Sequence, residues 1–297
     1  LKHIFFCISL TLSWLPALIK AQDTASYRDD EVFKKQVYAQ VKIDMEQGLI
    51  KGFRQLRAET DLAQPSQPVK VHYRTAAATK ELSPDAVFKQ LEKSVFVVWK
   101  FYKRTTSNIE GITVHATAFA IDDKGTMVSN QHVISQLIDK KQEVYDMDST
   151  LFLTDAWGNV FGIDSVLSYN ENADISFFTV KNIHKATIHS LPLGKDPLVG
   201  SATYVLSHPE GFPYYFSSGI VARTSRYSEF GEYTERLNIT ADYGKGSSGA
   251  PVVNQYGALI GLVSSTHSIY ARNMDNLQMV VKQVVPLRSI KAFLQYL

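Results

Sequence analysis

The stretch Gly244-Lys-Gly-Ser-Ser-Gly-Ala-Pro251 has two properties that a nucleophilic serine requires. Its glycines permit a tight backbone path that leaves main-chain N–H groups exposed, and its two serines supply hydroxyls. In such a turn the N–H groups of Gly246 and Ser248 can converge on a developing oxyanion, each donor contributing roughly 3 kcal/mol to a transition state. Loops and linkers often have the same composition, so the motif alone assigns no chemistry.

Two further segments supply what a serine would need. In Thr126-Met-Val-Ser-Asn-Gln-His-Val-Ile134 an apolar strand ends in polar residues, then His132, and Val133 and Ile134 return to a core. That puts an imidazole at a strand end, a suitable position for a general base. A histidine that merely braces a barrel rim would read the same way. In Asn172-Ala-Asp-Ile-Ser-Phe-Phe178, Asp174 enters an apolar strand, so its carboxylate is expected at a buried edge. There it could hold an imidazole in one tautomer and stabilise its cation. The plainer reading is a turn or capping aspartate.

These residues need a scaffold, and the sequence from Ser94 onward has the character of one. Val95–Trp99, Thr113–Ile121, Thr126–Ser129, Leu151–Thr154 and Val160–Leu167 are short and rich in β-branched and aromatic residues. Asp123-Lys-Gly125, Trp157-Gly-Asn159 and Asn170-Glu-Asn172 separate them as turns. The pattern continues through Ile175–Val180, Ala202–Ser207, Gly219–Arg223, Arg236–Ala241, Pro251–Val253, Ala258–Val263 and Met279–Val284. Many short strands with few helices between them predict an all-β barrel or sandwich pair. A closing helix is expected from Pro286, with Ile290, Phe293 and Leu297 on one face.

The N-terminal part differs. Lys2 and His3 precede an apolar run from Ile4 to Ile19, and small Ala21 stands before polar Gln22 and Asp23. This is the layout of a secretory signal peptide over residues 1–21. The run is interrupted by Pro16 and falls short of the roughly 20 apolar residues of a membrane span. Its cleavage would leave a chain without cysteine, exported to the periplasm or beyond the cell and stable without disulfides. Residues 22–80 read as a helical extension and linker, followed by the main domain over 81–297. Phe33, Val37, Val41, Met45, Leu49 and Phe53 recur every four residues and predict helix across 26–62. Alternation of Val37, Ala39, Val41, Ile43 and Met45 offers a strand as the rival reading. Pro65 and Pro68 mark 63–70 as linker, and Ser83 followed by Pro84 opens a short helix to Lys93. The net charge of +2 gives no electrostatic case for nucleic acid or an anionic membrane.

Along the chain the three candidate residues come in the order His132, Asp174, Ser248, the order of the chymotrypsin-type enzymes. Here the sequence resembles the trypsin-like serine peptidases, most of all the bacterial HtrA-like protease domain. Asn130-Gln-His-Val is similar to that family's Asn-x-His-Val. Ala173-Asp-Ile-Ser is similar to its Asp-Leu-Ala segment. Gly246-Ser-Ser-Gly-Ala-Pro251 is similar to its Gly-Asn-Ser-Gly-Gly-Pro, and Ser218-Gly-Ile-Val221 matches its Ser-Gly-Ile-Val strand. The match covers residues 86–297.

The resemblance implies two six-stranded antiparallel β-barrels with the site in the cleft between them. It implies Ser248 as nucleophile, His132 as general acid and base, Asp174 as its orienter, and the N–H groups of Gly246 and Ser248 as oxyanion hole. It implies no cofactor and no metal, with protein or peptide substrates. Three departures matter. Ala250 stands where the family usually has Gly. Ser247 stands where digestive trypsins carry an Asp that pairs with a newly cut N-terminus, so activation of that type is not expected. After the last strand and helix nothing in the 297 residues reads as a PDZ domain, so regulation through one is not expected. Asp242, six residues before Ser248, is either an acid selecting basic side chains or a loop cap. His208 in Ser207-His-Pro-Glu-Gly211 reads as a turn support rather than a metal ligand. Lys245, Arg223 and Arg226 read as solvated charge. The competing reading of the whole is a catalytically inactive binding protein on the same fold. Another is a docking or oligomerisation protein acting through 22–80.

Overall fold

A computed structural model of the chain describes residues 27–60, 63–76, 80–104, 109–139, 149–272 and 276–297. The signal-peptide reading of 1–21 lies outside the described residues. No helix among those described is long and apolar enough to cross a membrane.

Helix α1, Asp30–Glu46, starts where Asp29 caps it, its side chain accepting from Val32 N at 3.0 Å. It stops at Gly48, whose φ of +67° only glycine adopts freely. Gly48 N then bonds Met45 O and Leu49 N bonds Asp44 O, a Schellman closure. The helix expected across 26–62 is therefore broken, and α2, Phe53–Glu59, follows as a separate piece. The four-residue repeat survives the break because Phe53 and Leu56 bury against the same domain as Phe33, Val37 and Val41.

After the short strands β1, Gln64–Pro65, and β2, Val69–Val71, helix α3 runs Pro84–Glu92 from N-cap Ser83. The first barrel uses β3, Val95–Arg104; β4, Ile109–Ala120; and β5, Thr126–Ser129. The one-turn α4, Ser135–Ile138, precedes β6, Thr150–Thr154; β7, Val160–Asn170; and β8, Ile175–Asn182. The second barrel uses β9, Ala202–Ser207; β10, Tyr215–Arg226; β11, Glu235–Ile239; β12, Pro251–Val253; β13, Leu259–Tyr270; and β14, Leu277–Pro286. The chain ends with α5, Leu287–Lys291, and β15, Leu294–Tyr296.

Each barrel is a closed antiparallel ring of six strands. The first closes in the order β7-β6-β3-β4-β5-β8 through a β7–β8 pairing, and the second as β10-β11-β14-β13-β12-β9. Turn residues set the corners. Asp122 Oδ1 accepts from Lys124 N and Thr126 N, and Asp155 Oδ1 accepts from Trp157 N and Asn159 N.

Two expectations fail at the margins. The supposed linker 63–70 is partly β-structure: β1 adds in parallel to β7 and β2 pairs in parallel with β15. The last helix is only five residues long. Ile290 and Phe293 are buried as expected, but the chain then turns into β15 and leaves Leu297 exposed. The partner strand that captures it lies at the other end of the sequence, where local periodicity cannot register it.

The apolar run Val95-Phe-Val-Val-Trp99 explains the extension. Phe96 and Val98 point into the first barrel, whereas Val97 and Trp99 point outward. A strand apolar on both faces must be covered on both. The stripe Phe33, Val37 and Val41 of α1 covers the outer face, together with Phe101, Ile112, Phe152 and Val160. A third cluster joins the barrels: Phe119, Val128, Ile175 and Phe177 meet Leu206, Leu259, Leu262 and Val285, beneath α3 and α5.

Because α1 shares this core, it should unfold with the barrels. Val41→Ala, at a fully buried position, is expected to lower stability by about 2 kcal/mol in one cooperative denaturant transition. A main transition that does not move, with a separate early loss of helix signal, would show that the extension folds independently.

Candidate active site

The register of β5 against β8 pairs Ser129 with Ser176, and so brings the residues following Ser129 beside those preceding Ser176. His132 and Asp174 therefore meet at one rim of the first barrel. The imidazole Nδ1 lies 2.9 Å from Asp174 Oδ1 and 3.1 Å from Oδ2, and the His132 backbone N–H donates to Oδ1 at 3.2 Å. A carboxylate can only accept, so Nδ1 carries the proton and Nε2 is left free on the opposite side of the ring.

The rim is held by backbone contacts. Asn130 Nδ2 donates to Asp174 O at 2.8 Å, and Ser176 Oγ donates to the carbonyls of Ser129 and Asn130. Val133 and Ile134 anchor the following turn in the barrel core. His115 Nε2 donates to Val133 O at 3.0 Å. Burial pushes the His115 imidazole pKa down, which disfavours a second cation beside His132. Asp174 itself has φ +57°, the left-handed region that few non-glycine residues adopt. Asn170 Oδ1 accepts Ala173 N just before it, and Arg236 Nη2 donates across the barrel gap to Asn172 O at 3.0 Å.

The second barrel contributes Ser264, whose hydroxyl donates to Asp174 Oδ2 at 2.7 Å. The reading of the sequence missed this residue. Its only local mark is its place as the first polar residue after the apolar run Leu259–Val263, which is too common a pattern to stand out.

The loop Gly244–Ser248 sits against the first barrel. Thr117 N donates to Ser248 O at 2.9 Å, and Thr117 Oγ1 donates to Gly246 O at 3.1 Å. Gly249, at φ +86°, lies so close to Thr117 O and Ser129 Oγ that a Cβ there would collide with both. Gly246, at φ +95°, lies over His208 O, where a Cβ would come within 2.5 Å. The two serines are thereby separated. Ser247 is fully buried, with Oγ donating to Ser207 Oγ at 3.0 Å, whereas Ser248 is half-buried. Among the described residues, nothing accepts from the N–H groups of Gly246 or Ser248, and Ser248 Oγ makes no hydrogen bond to His132.

Ala250 sits in the core of the second barrel, its N–H on Ser247 O and its carbonyl on Val263 N. Its methyl fills that core and takes no room from the serine. Asp242, left open by the sequence between a selecting acid and a loop cap, lies at the surface. Its side chain is 72% exposed and paired with Lys282 Nζ at 2.7 Å, and that hydrogen bond holds its carboxyl pKa below the usual value. The neighbouring Tyr243 is buried instead, its hydroxyl donating to the carbonyls of Ser265 and Gln283. Lys245 pairs with Glu210, and Arg226 with Glu235, at the surface. Beside Asp174 and Ser264 opens a cleft of about 750 Å³, walled by Tyr227, Phe230, Arg236 and Ser265. Among the described residues no cluster of three His, Cys, Asp or Glu side chains could hold a metal ion.

Residues 116–262 match the family model of the trypsin-like peptidase domain. The chain is similar to Protease Do-like 5, chloroplastic, of Arabidopsis thaliana, with 24% identity over 187 residues, 61% of this chain and 56% of that protein. It is similar to Protease Do-like 1, chloroplastic, of the same plant, with 23% identity over 200 residues, 64% of this chain and 43% of that protein. It thus spans about half the length of the curated relatives it matches. Its fold resembles the crystal structure of Deg5, with a TM-score of 0.52 and 19% identity over 69% of this chain and 88% of that one. The double barrel and these matches agree in supporting a trypsin-like peptidase domain similar to that of the HtrA-type Do-like proteases.

Proposed function

We propose that the chain is a serine endopeptidase with Ser248 as nucleophile. The observation that carries this reading is the His132–Asp174 pair at 2.9 Å, on the barrel whose Thr117 also holds the loop in which Ser247 is buried and Ser248 only half-buried. In the proposed reaction Ser248 Oγ attacks the carbonyl carbon of the scissile bond as His132 Nε2 takes its proton. The oxyanion that forms is bound by the N–H groups of Gly246 and Ser248. Collapse breaks the C–N bond, and the imidazolium returns the proton to the leaving amine. A water, activated by the same imidazole, then releases the acyl group from Ser248. Asp174 stays ionised throughout and holds the imidazole in the tautomer with Nε2 unprotonated, while Ser264 and the His132 backbone N–H keep its carboxylate turned to Nδ1.

We further propose protein substrates with a small apolar residue before the cut. In this reading the substrate side chain nearest the oxyanion site enters between the loop 242–248 and β13. Tyr243 fills that space, and the acid beside it is already neutralised by Lys282. The leader-like residues 1–21 support an extracytoplasmic location for this activity.

Two experiments test these roles. A fluorophosphonate probe should label the wild type and Ser247→Ala but leave Ser248→Ala unlabelled and inactive. Labelling of Ser248→Ala with a dead Ser247→Ala would shift the nucleophile by one residue. In a peptide library, cleavage should follow Ala, Val and similar residues, and Asp242→Ser should leave the pattern unchanged. Tyr243→Val should admit larger residues such as Leu and Phe. Cleavage mainly after Arg or Lys, lost in Asp242→Ser, would restore the acid to a specificity role.

A further inference from the structure

Residue Arg28 lies just before the cap of α1, far in sequence from the Ser248 loop, yet a short series of contacts connects the two. Its Nη2 donates to Ala156 O at 3.0 Å on the first barrel. Its guanidinium stacks 4.3 Å from the centre of the Tyr214 ring and 5.0 Å from that of Phe33, with Glu92 of α3 at 3.9 Å. Tyr214 belongs to the second barrel, on the segment between β9 and β10. Arg28 therefore joins the extension to both barrels through a cation held over an aromatic face.

Tyr214 passes the contact inward. Its ring meets the ring of His208 edge to face at 4.5 Å, and its backbone N–H donates to His208 Nδ1 at 2.9 Å. Tyr214 takes φ +63°, so a bulky residue is held in the left-handed region to make both contacts. His208 is fully buried, and burial pushes its pKa down to about 3. It stays neutral at ordinary pH, with Nδ1 an acceptor. The backbone of this segment is the floor of the Ser248 loop. His208 N donates to Thr117 Oγ1 at 3.2 Å, the same hydroxyl that donates to Gly246 O. Glu210 N donates to Lys245 O at 2.8 Å, and His208 O lies directly under Gly246.

We infer that Arg28 is a positioning residue for the reaction: through Tyr214 and His208 it presses residues 208–214 against the Gly244–Ser248 loop and so holds the N–H groups of Gly246 and Ser248 in line for the oxyanion. The inference rests on the proposed oxyanion role of those two groups. Its physical basis is the need for preorganised donors, whose alignment must exist before the charge develops. Ser247 lies buried against Ser207 beneath the same loop, and the extension supplies support from the other side. Arg28 touches no reacting atom, so its influence should appear in turnover and leave binding alone.

The test compares the full chain with Arg28→Ala and Arg28→Lys. Amide hydrogen exchange is followed in peptides covering 207–216 and 243–249, with β6 as an internal reference. In Arg28→Ala, exchange in the two loop peptides should rise by about tenfold, the size expected from losing one partly desolvated cation–π contact, while β6 is unchanged. Arg28→Lys should recover most of the protection. On a peptide substrate, kcat of Arg28→Ala should fall by about tenfold with KM unchanged, the mark of an interaction felt only in the transition state. Unchanged loop exchange in Arg28→Ala overturns the inference whether or not the enzyme turns over. So does a rise of exchange in β6 to the same degree, or a KM that rises in step with a lowered melting temperature, since either indicates loss of general structure. If loop exchange responds but the wild type cleaves nothing, the coupling stands and the peptidase reading fails.

Discussion

The closest constraint in the molecule is the approach of the Ser248–Gly249 backbone to the first barrel. Thr117 reaches it from β4 with its N–H on Ser248 O, its hydroxyl holds Gly246 O, and Ser129 packs behind. No side chain fits between these backbones, so position 249 must be glycine for the second barrel to deliver its serine to the histidine of the first. The inter-barrel cluster around Phe119, Phe177, Leu206 and Leu262 sets the same distance from the apolar side. If that cluster loosened, the two halves of the candidate site would part, because His132 and Asp174 belong to one barrel and Ser248 and Ser264 to the other.

The extension belongs to the same arrangement. β3 is apolar on both faces, and α1 covers its outer side. Burying those rings supplies the driving force that fixes α1, and α1 in turn fixes Arg28 near the segment under the Ser248 loop. A hydrophobic requirement of one strand thus has a consequence at the opposite end of the site. The parallel pairings of β1 with β7 and of β2 with β15 tie the intervening chain down between those two ends.

Charge is handled differently at the centre and at the rim. Asp174 is mostly buried, yet each carboxylate oxygen meets a donor, from His132 and Ser264, which offsets the cost of desolvating an ion. His115 and His208 are deprived of water and of acidic partners, and burial lowers both pKa values. Asp242 is exposed and paired with Lys282, so its charge is spent at the surface.

Local chemistry was legible in the residues themselves. The glycines around Ser247 and Ser248, the strand end before His132, the aspartate entering Ile175–Phe178, the caps at Ser83 and the alternating strands all act within a few neighbours, and the double barrel follows from them with the family resemblance. Gly48 was equally local, but the four-residue repeat ran across it and hid the break. Other features depended on partners distant in the chain. The sequence could not reveal that Ser264 would reach Asp174, that Lys282 would claim Asp242, or that β15 would leave its helix to pair with β2. Nor could it tell which serine of the pair is buried, since that follows from Ser207 waiting on another strand. Sequence alone determined the residue types and their order, because backbone preference and hydrophobic period are short-range properties. Tertiary structure alone decided which of those residues face one another, because strand register and barrel closure bring together groups that no local pattern connects.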